Sequence, residues 1–179
     1  MPITRRQLQV ALGVLWLIDA ALQAQPFMWT RGFATQVIDG AGQGQPGFVA
    51  DPVHWVSTVI AAHPVAWNVP FVAVQYLLGV GLLVRRTARV ALAASIVWGL
   101  GVWYLGEGLY GIASGHASLA MGAPGAGLLL AILACAAWPA PGRDGSRELP
   151  APWLPFAWAI TWVGGAAFQA VPGQVGVHG

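Results

Sequence analysis

Residues 64–84 read PVAWNVPFVAVQYLLGVGLLV, a stretch without a charged side chain that ends at the basic pair Arg85 and Arg86. A helix that crosses a bilayer needs about 20 mostly apolar residues, because the hydrocarbon core is roughly 30 Å thick. This stretch meets that length. It therefore predicts a membrane-spanning helix whose basic end lies at one surface of the membrane.

Four further apolar segments lie before and after this stretch, and the shortest of them is 122–139. Backbone groups in lipid must be hydrogen-bonded within a helix or a closed barrel, and these segments show no period-two alternation of apolar and polar residues. We therefore expect an all-α fold, a polytopic transmembrane helix bundle that forms a single domain over residues 1–179. The predicted spans are residues 7–28, 64–84, 89–113, 122–139 and 153–171.

The composition agrees with this interpretation. Apolar residues make up 57% of the chain and charged residues only 8%, whereas a soluble domain carries about 25% charged residues. The chain has 8 basic residues, all of them arginine, and 6 acidic residues. The resulting net charge of +2 is too small for a nucleic-acid-binding surface. We therefore expect the lipid bilayer, and no nucleic acid, as a partner of this chain.

The arginines predict the orientation of the bundle. Lysine and arginine accumulate in the cytoplasmic loops of membrane proteins, and a five-span arrangement leaves only Arg31 on the opposite side from the rest. We therefore expect a multi-pass protein of the cell (inner) membrane, with its N-terminus in the cytoplasm and its C-terminus outside. The arginines on the predicted cytoplasmic side are Arg5, Arg6, Arg85, Arg86, Arg89, Arg143 and Arg147.

The outer loop, residues 29–63, is too long for a simple connection between two helices. Its middle, 39–47, is rich in Gly and Gln and is predicted to be irregular. Asp51 and Pro52 follow, an N-cap residue and a proline at the first helical position. They predict a short helix over 53–62, which is too short to cross a bilayer and is expected to lie on the outer face of the bundle.

Two acidic residues lie inside predicted spans, Asp19 in the first and Glu107 in the third. A carboxyl group in the hydrocarbon region costs a few kcal/mol, so it is usually paired and often functional. Both lie in the outer third of their helices, near polar and aromatic side chains. We expect either an aromatic-lined polar pocket in the outer half of the bundle or a helix-packing network without a ligand. The candidate residues are Asp19, Gln23, Asn68, Gln75, Trp103, Tyr104 and Glu107.

The histidines raise a second possibility on the outer side. His54, His63 and His116 are all predicted outside, and Met121 is predicted near the same surface. Histidine with methionine suits copper, and histidine with carboxylate suits zinc or iron. No two of these histidines are three or four residues apart, so the alternative interpretation is that they are loop or interface residues without a metal.

Two of the apolar segments resemble a known family. Residues 8–23, LQVALGVLWLIDAALQ, resemble the opening of DoxX-type membrane proteins, and residues 75–86, QYLLGVGLLVRR, resemble that family's Gly-rich second helix with its basic turn. The resemblance covers about residues 7–139 and implies a four-helix membrane core, to which this chain adds a fifth helix and a long outer loop. Some DoxX-type proteins are linked to quinone-dependent sulfur oxidation or to membrane redox complexes.

Three functions remain open at this point. The two acids and the aromatic residues in the same leaflet, together with the resemblance, suggest a redox-linked subunit that binds a quinone or a membrane redox partner protein. Asp19 and Glu107 would handle protons or hold a quinone oxygen, and the flanking rings would be those of Trp16, Trp103 and Tyr104. The histidines suggest an outer-face protein that binds copper, zinc or haem. The third is a non-enzymatic scaffold or assembly subunit in which the acids serve only helix packing.

Overall fold

A computed structural model describes residues 4–119 and 122–139, which form helices and turns and contain no β-strand. The predicted all-α class is confirmed for this part of the chain, whereas the predicted span 153–171 lies outside it. Single helical turns occur at Pro26–Trp29, Phe33–Ile38, Val102–Gly106 and Gly108–Gly111. The α-helices of the described residues are α1 (Arg5–Gln23), α2 (Asp39–Gly42), α3 (Gly47–Ala62), α4 (Pro64–Leu83), α5 (Ala88–Gly101) and α6 (Ala126–Ala136).

Four of these helices, α1, α4, α5 and α6, enclose one core. Helix α1 packs along α4, α4 along α5, and α5 along α6, which returns to contact α1. The side chains of Leu12, Trp16, Leu82 and Leu92 are almost completely buried in this core. These four helices coincide with the first four predicted apolar segments, and α6 is shorter than the predicted segment 122–139.

Glycines allow the helix pairs to approach closely. A Cβ atom at Gly79 of α4 would lie 2.9 Å from the carbonyl oxygen of Gly13 in α1, and one at Gly99 of α5 would lie 2.7 Å from that of Gly127 in α6. Real side chains do not approach backbone oxygen so closely. Small residues at helix contacts are typical of bundles whose packing depends on close backbone approach.

Side chains of α1 bind the carbonyl ends of two other helices. The Arg6 guanidinium donates hydrogen bonds to the carbonyl oxygens of Leu82, at 2.9 Å, and of Leu83 at the end of α4. The Gln9 side chain donates to the carbonyl oxygen of Ala137, at 3.1 Å, just after α6. The last carbonyls of a helix have no partner within it and carry a partial negative charge, so both contacts hold the same end of the bundle together.

Two helical stretches of the described residues, Pro64–Leu83 and Ala88–Gly106, are long and apolar enough to cross a membrane, each with a mean hydropathy of 1.5. Their outward faces carry large apolar side chains, with Leu77 65% exposed, Val90 74% and Val97 73%. Helix α6 is apolar but has only 11 residues. Helix α1 is about as long as α4 but carries three charged residues, Arg5 and Arg6 in its first turn and Asp19 four positions before its last residue, Gln23.

The outer loop differs from its prediction. Residues Phe33–Ile38 form a π-helical turn that leads into α2, so only residues 43–46 of the predicted irregular middle are non-helical. Helix α3 begins at Gly47 rather than at residue 53, with Pro46 as its N-cap. It ends at Ala62, as predicted.

Proline 52 lies inside α3, and Asp51 is not the N-cap. Because proline has no backbone N–H, it cannot donate to the carbonyl oxygen four residues earlier, which belongs to Phe48. The Tyr104 hydroxyl donates to this oxygen at 2.6 Å. A hydrogen bond from the turn Val102–Gly106, which follows α5, therefore replaces the one that Pro52 removes. This allows α3 to start at Gly47, six residues earlier than its local sequence indicates.

These outer elements form a second core, which we call the outer cap. Its buried residues are Ala34, Ile38, Val49, Val53 and Ile60. Phe71 of α4 and Tyr104 pack against them and so connect the outer cap to the bundle.

The third predicted span does not continue as one helix to residue 113. After α5 the chain makes a π-helical turn over Val102–Gly106, and the helix ends at Glu107. Gly108, Leu109 and Tyr110 follow with φ of 54°, 55° and 51°, in the left-handed region. A Cβ atom at Gly108 would collide with the backbone of Ala41 in α2, so this turn is fixed by its contact with the outer cap.

Replacing Gly99 with alanine tests the close contact between α5 and α6. We expect a loss of about 1–3 kcal/mol in the free energy of unfolding, because the new Cβ atom would have to push the Gly127 backbone away. The measurement is denaturant unfolding in detergent, followed by circular dichroism. Gly101→Ala is the matched control, since a Cβ atom there meets nothing within 4 Å. Equal stability of the two variants would contradict this account.

Replacing Tyr104 with phenylalanine removes the donor to the Phe48 carbonyl oxygen. The expected loss of stability is about 0.5–1.5 kcal/mol, and backbone amides of α3 should exchange faster with deuterium. Tyr76→Phe, at an exposed position of α4, is the control. Unchanged exchange in α3 would show that Tyr104 does not hold this helix.

Candidate functional site

The Glu107 carboxyl group binds the first turn of α6. One carboxyl oxygen, Oε1, accepts a hydrogen bond from the backbone N–H of Gly127 at 3.0 Å, and the backbone N–H of Ala126 is a further donor to this group. The first N–H groups of a helix lack partners within it and carry a partial positive charge. Gly125, the N-cap residue of α6, has no side chain to supply an acceptor. Glu107, which follows the turn Val102–Gly106, supplies the acceptor instead.

Glycine at position 125 makes room for this carboxyl group. Its φ is +102°, and a Cβ atom there would collide with Oε2 of Glu107. Beside it, the Trp103 indole N–H donates to the carbonyl oxygen of Pro124 at 2.7 Å. The turn that precedes α6 therefore packs against the side chains of Trp103 and Glu107.

The second carboxyl oxygen of Glu107 takes no part in the contact with α6. Oε2 is buried and has no hydrogen-bond partner among the described residues. Asp19 of α1 lies close enough to interact with Glu107 electrostatically. Two carboxylates that face each other repel, and a proton or a hydrogen-bond donor between them relieves the repulsion. The structure thus shows an electrostatic interaction between Asp19 and Glu107, and the pocket expected around them stays a prediction.

Gln23 and Asn68 are also in contact, but their polar groups are hydrogen-bonded to each other. The Gln23 amide donates to the Asn68 side-chain oxygen at 2.6 Å, and the Asn68 amide donates to the backbone oxygen of Gln23 at 3.1 Å. Asn68 is almost completely buried. This pair joins the end of α1 to the beginning of α4, which fits the helix-packing interpretation for these two residues.

Trp103 and Tyr104 do not face a common pocket, contrary to the expectation that both flank one ligand ring. The Trp103 side chain binds the turn before α6, and the Tyr104 side chain reaches Phe48 in the outer cap. Neighbouring residues in a helix point about 100° apart, which places the two rings on different sides of the π-helical turn Val102–Gly106. Trp16 of α1 is buried in the bundle core instead.

Gln75 lies in the bundle core, 5% exposed, and its Oε1 atom has no partner among the described residues. The same holds for the indole N–H of Trp16 and the hydroxyl of Ser95, which are 1% and 0% exposed. Ser95 was not among the sequence candidates. The available signal was that it is the one hydroxyl residue within the apolar helix α5.

The histidines are not brought together. His54 contacts Asp39 through Nδ1 at 2.8 Å on the surface of the outer cap, and His63 and His116 are exposed. Within residues 4–119 and 122–139, no three His, Cys, Asp or Glu side chains are grouped closely enough to hold a metal ion. The three-histidine ligand set expected from the sequence does not occur here, because these residues lie on separate elements. Met121 lies outside the described residues.

Truncating Glu107 tests its contact with α6. For Glu107→Ala we expect a loss of about 1–3 kcal/mol in the free energy of unfolding, because the N–H groups of Ala126 and Gly127 lose their acceptor. Glu107→Gln keeps one acceptor oxygen and should lose less. Asp51→Asn, on an exposed position of α3, is the control, and the measurement is thermal unfolding in detergent. A fully stable alanine variant would refute the capping role.

Comparisons of this chain with protein-family models, with curated proteins and with solved structures found no match.

Proposed function

We propose that this chain is a DoxX-like, multi-pass integral membrane protein that binds a quinone in the outer half of its bundle and serves a membrane redox partner protein. In this proposal α1, α4, α5 and α6 cross or enter the bilayer, and residues 153–171 supply a fifth helix. The N-terminus lies in the cytoplasm and the outer cap covers the opposite end. The distribution of arginines supports this orientation.

The distribution of polar side chains inside the bundle and apolar side chains on its surface supports a lipid environment. Gln9, Asn68, Gln75 and Ser95 are buried, whereas many valine and leucine side chains are exposed. Water favours the reverse arrangement, and contiguous exposed apolar surface of this kind is rare on a soluble monomer. A bilayer stabilises such a surface and provides no partner for polar groups, which then turn inward.

The capping of α6 by Glu107 fits a lipid environment. Its 11 residues extend about 16 Å, roughly half of the hydrocarbon thickness. In a bilayer, at least one end of such a helix lies at a depth without water, and its N–H groups need an acceptor from the protein. Glu107 is that acceptor in the structure.

The single observation that carries the ligand proposal is the unpaired, buried Oε2 atom of Glu107 next to Asp19. A quinone reaches such a site from within the bilayer, because the molecule is itself lipid-soluble. Its reduction consumes two electrons and two protons. The partner protein would supply the electrons, and Asp19 and Glu107 would hold protons beside the ring oxygen.

Quinone binding tests the proposal directly. Detergent-purified protein is titrated with duroquinone, and quenching of tryptophan fluorescence is followed. We expect saturable binding that weakens about tenfold in Asp19→Asn and in Glu107→Gln, which each lose a carboxylate beside the ring oxygen. Asp51→Asn, on the exposed surface of α3, should bind as the unaltered protein does. Absence of saturable binding by the unaltered protein would refute the proposal.

A second candidate, a non-enzymatic scaffold, is favoured by the same acid's contact with α6 and by the bonds between Gln23 and Asn68. In that case Asp19→Asn and Glu107→Gln would lower the melting temperature without a quinone-dependent change in fluorescence. Stable co-purification with a larger membrane complex would then identify what the scaffold serves.

A further inference from the structure

Helix α3 carries a line of apolar side chains that are exposed in the structure. Phe48 is 65% exposed and Trp55 is 66% exposed. At 3.6 residues per turn, a spacing of three or four residues keeps side chains on one line along a helix. The line that contains these two rings has no charged side chain, and we call it the apolar stripe: Phe48, Pro52, Trp55, Val59 and Ala62.

The other two sides of α3 differ from the apolar stripe. One side belongs to the core of the outer cap and includes Val49, Val53 and Ile60. The third side is polar and exposed, and it consists of Asp51, His54 and Thr58. His54 contacts Asp39 of α2, so the polar surface continues onto the neighbouring helix. Outside the protein, α3 therefore needs water on one side and an apolar environment on the next.

Both ends of α3 are fixed to the two stretches that are long and apolar enough to cross a membrane. Its last residue, Ala62, is separated from the first residue of α4 by His63 alone. Near its beginning, the Phe48 carbonyl oxygen accepts the hydrogen bond from Tyr104, which lies in the stretch Ala88–Gly106. The direction of α3 therefore follows from the levels of positions 64 and 104 along the bundle.

The packing of α4 against α5 gives these two levels. A Cβ atom at Gly81 would lie 3.0 Å from the Cβ atom of Ala91, and the rings of Phe71 and Trp98 are 5.8 Å apart. The two helices are therefore antiparallel, and about two helical turns outward from Phe71 and from Trp98 the chain reaches positions 64 and 105. Both ends of α3 thus lie at one level. Its 16 residues extend about 24 Å and run across the bundle axis rather than along it.

This level coincides with a surface of the bilayer. The 20 residues of α4 extend about 30 Å, which is the thickness of the hydrocarbon core. When α4 spans that core, its first residue and α3 lie at the boundary between acyl chains and headgroups. Large apolar side chains are also exposed at the start of α4, where Val65 is 55%, Trp67 40% and Val69 53% exposed. Tryptophan favours this boundary because its ring is apolar with one polar edge.

We propose that α3 is an interfacial helix whose apolar stripe inserts into the outer leaflet of the bilayer while its polar side faces water. This inference rests on the membrane location in the proposed function and is independent of quinone binding. The partner is phospholipid, because the surface of a bilayer supplies both environments on adjoining sides of one helix. Helix α3 has no lysine or arginine, so burial of apolar surface rather than attraction to anionic headgroups drives the insertion.

Fluorescence quenching from lipid and from water tests the insertion. The full chain with Cys135→Ser lacks its single cysteine, and Trp55→Cys, Thr58→Cys or Val97→Cys then supplies one site for a nitrobenzoxadiazole label. Each variant is reconstituted into phosphatidylcholine vesicles, with doxyl-labelled phosphatidylcholine as the lipid quencher and iodide as the water-soluble one. We expect lipid to quench the label at position 55, and iodide to quench it about threefold less than the label at position 58.

Two positions are the controls. Thr58 lies on the exposed polar side of the same helix and should respond to iodide but not to lipid. Val97, 73% exposed on the outward face of α5, should respond to lipid only. Phe48→Cys, on the apolar stripe, repeats the measurement if Trp55→Cys does not fold.

The outcomes separate this inference from the proposed function. If position 55 responds to iodide as strongly as position 58 and not to lipid, the apolar stripe faces water and the inference is overturned. Protection from both quenchers would place protein on the stripe, either residues 153–171 or a second copy of the chain, and would overturn it as well. In both cases a lipid-quenched label at position 97 leaves the proposed membrane location intact. If position 97 is not quenched by lipid, that location fails and the inference fails with it.

Discussion

The hydrogen bonds from the first turn of α6 to Glu107 are the constraint on which the bundle's outer half depends. They join the end of α5 to the start of α6 and determine where the intervening turn must run. Gly125 must lack a side chain because Glu107 occupies that space. At its other end, α6 is bound by Gln9 of α1 through the Ala137 carbonyl oxygen. A short helix thus has both of its polar ends satisfied by other helices.

In lipid, the hydrophobic effect does not drive helices together, and polar contacts of this kind take over that role. Apolar helices gain little by leaving lipid for one another, so small residues and interhelical hydrogen bonds must supply the attraction. The structure has both: Gly13 against Gly79 and Gly99 against Gly127, and the pair Gln23 and Asn68. Trp16, Gln75 and Ser95 differ from these contacts, because each has a buried polar atom without a partner among the described residues.

The sequence predicted those features that depend on neighbouring residues. An apolar run bounded by Pro64 and Arg85 is sufficient to predict α4, and an acid in an apolar stretch is sufficient to single out Asp19 and Glu107. The start of α3 was predicted wrongly because Tyr104, more than fifty residues away in the sequence, satisfies the carbonyl oxygen that Pro52 leaves unpaired. Local rules favour Pro52 at the first helical position, and only the fold supplies the distant hydroxyl.

The candidate site also depends on contacts between residues that are distant in the sequence, which local sequence patterns do not predict. Nothing near Glu107 in the sequence indicates that its partner is the backbone of residues 126 and 127, since that depends on how α6 is placed. The end of α5 was predicted too late for a similar reason. A leucine and a tyrosine are unfavourable in the left-handed region, and their conformation follows from the contact of Gly108 with Ala41. Ser95 was overlooked because a serine in an apolar helix often bonds its own backbone.

The π-helical turn at Val102–Gly106 has a consequence for the chain's tolerance of length changes. Such a turn accommodates one more residue than an α-helical turn, and each residue in a helix advances the direction of the side chains by about 100°. That extra residue sets the direction of the side chains that follow. Trp103 therefore contacts the turn before α6, Tyr104 contacts the outer cap, and Glu107 contacts the first turn of α6. Loss of a single residue here would keep every side chain's chemistry but turn Glu107 away from α6. Relatives of this chain should therefore vary in loop length elsewhere and keep the spacing between Ser95 and Glu107 constant.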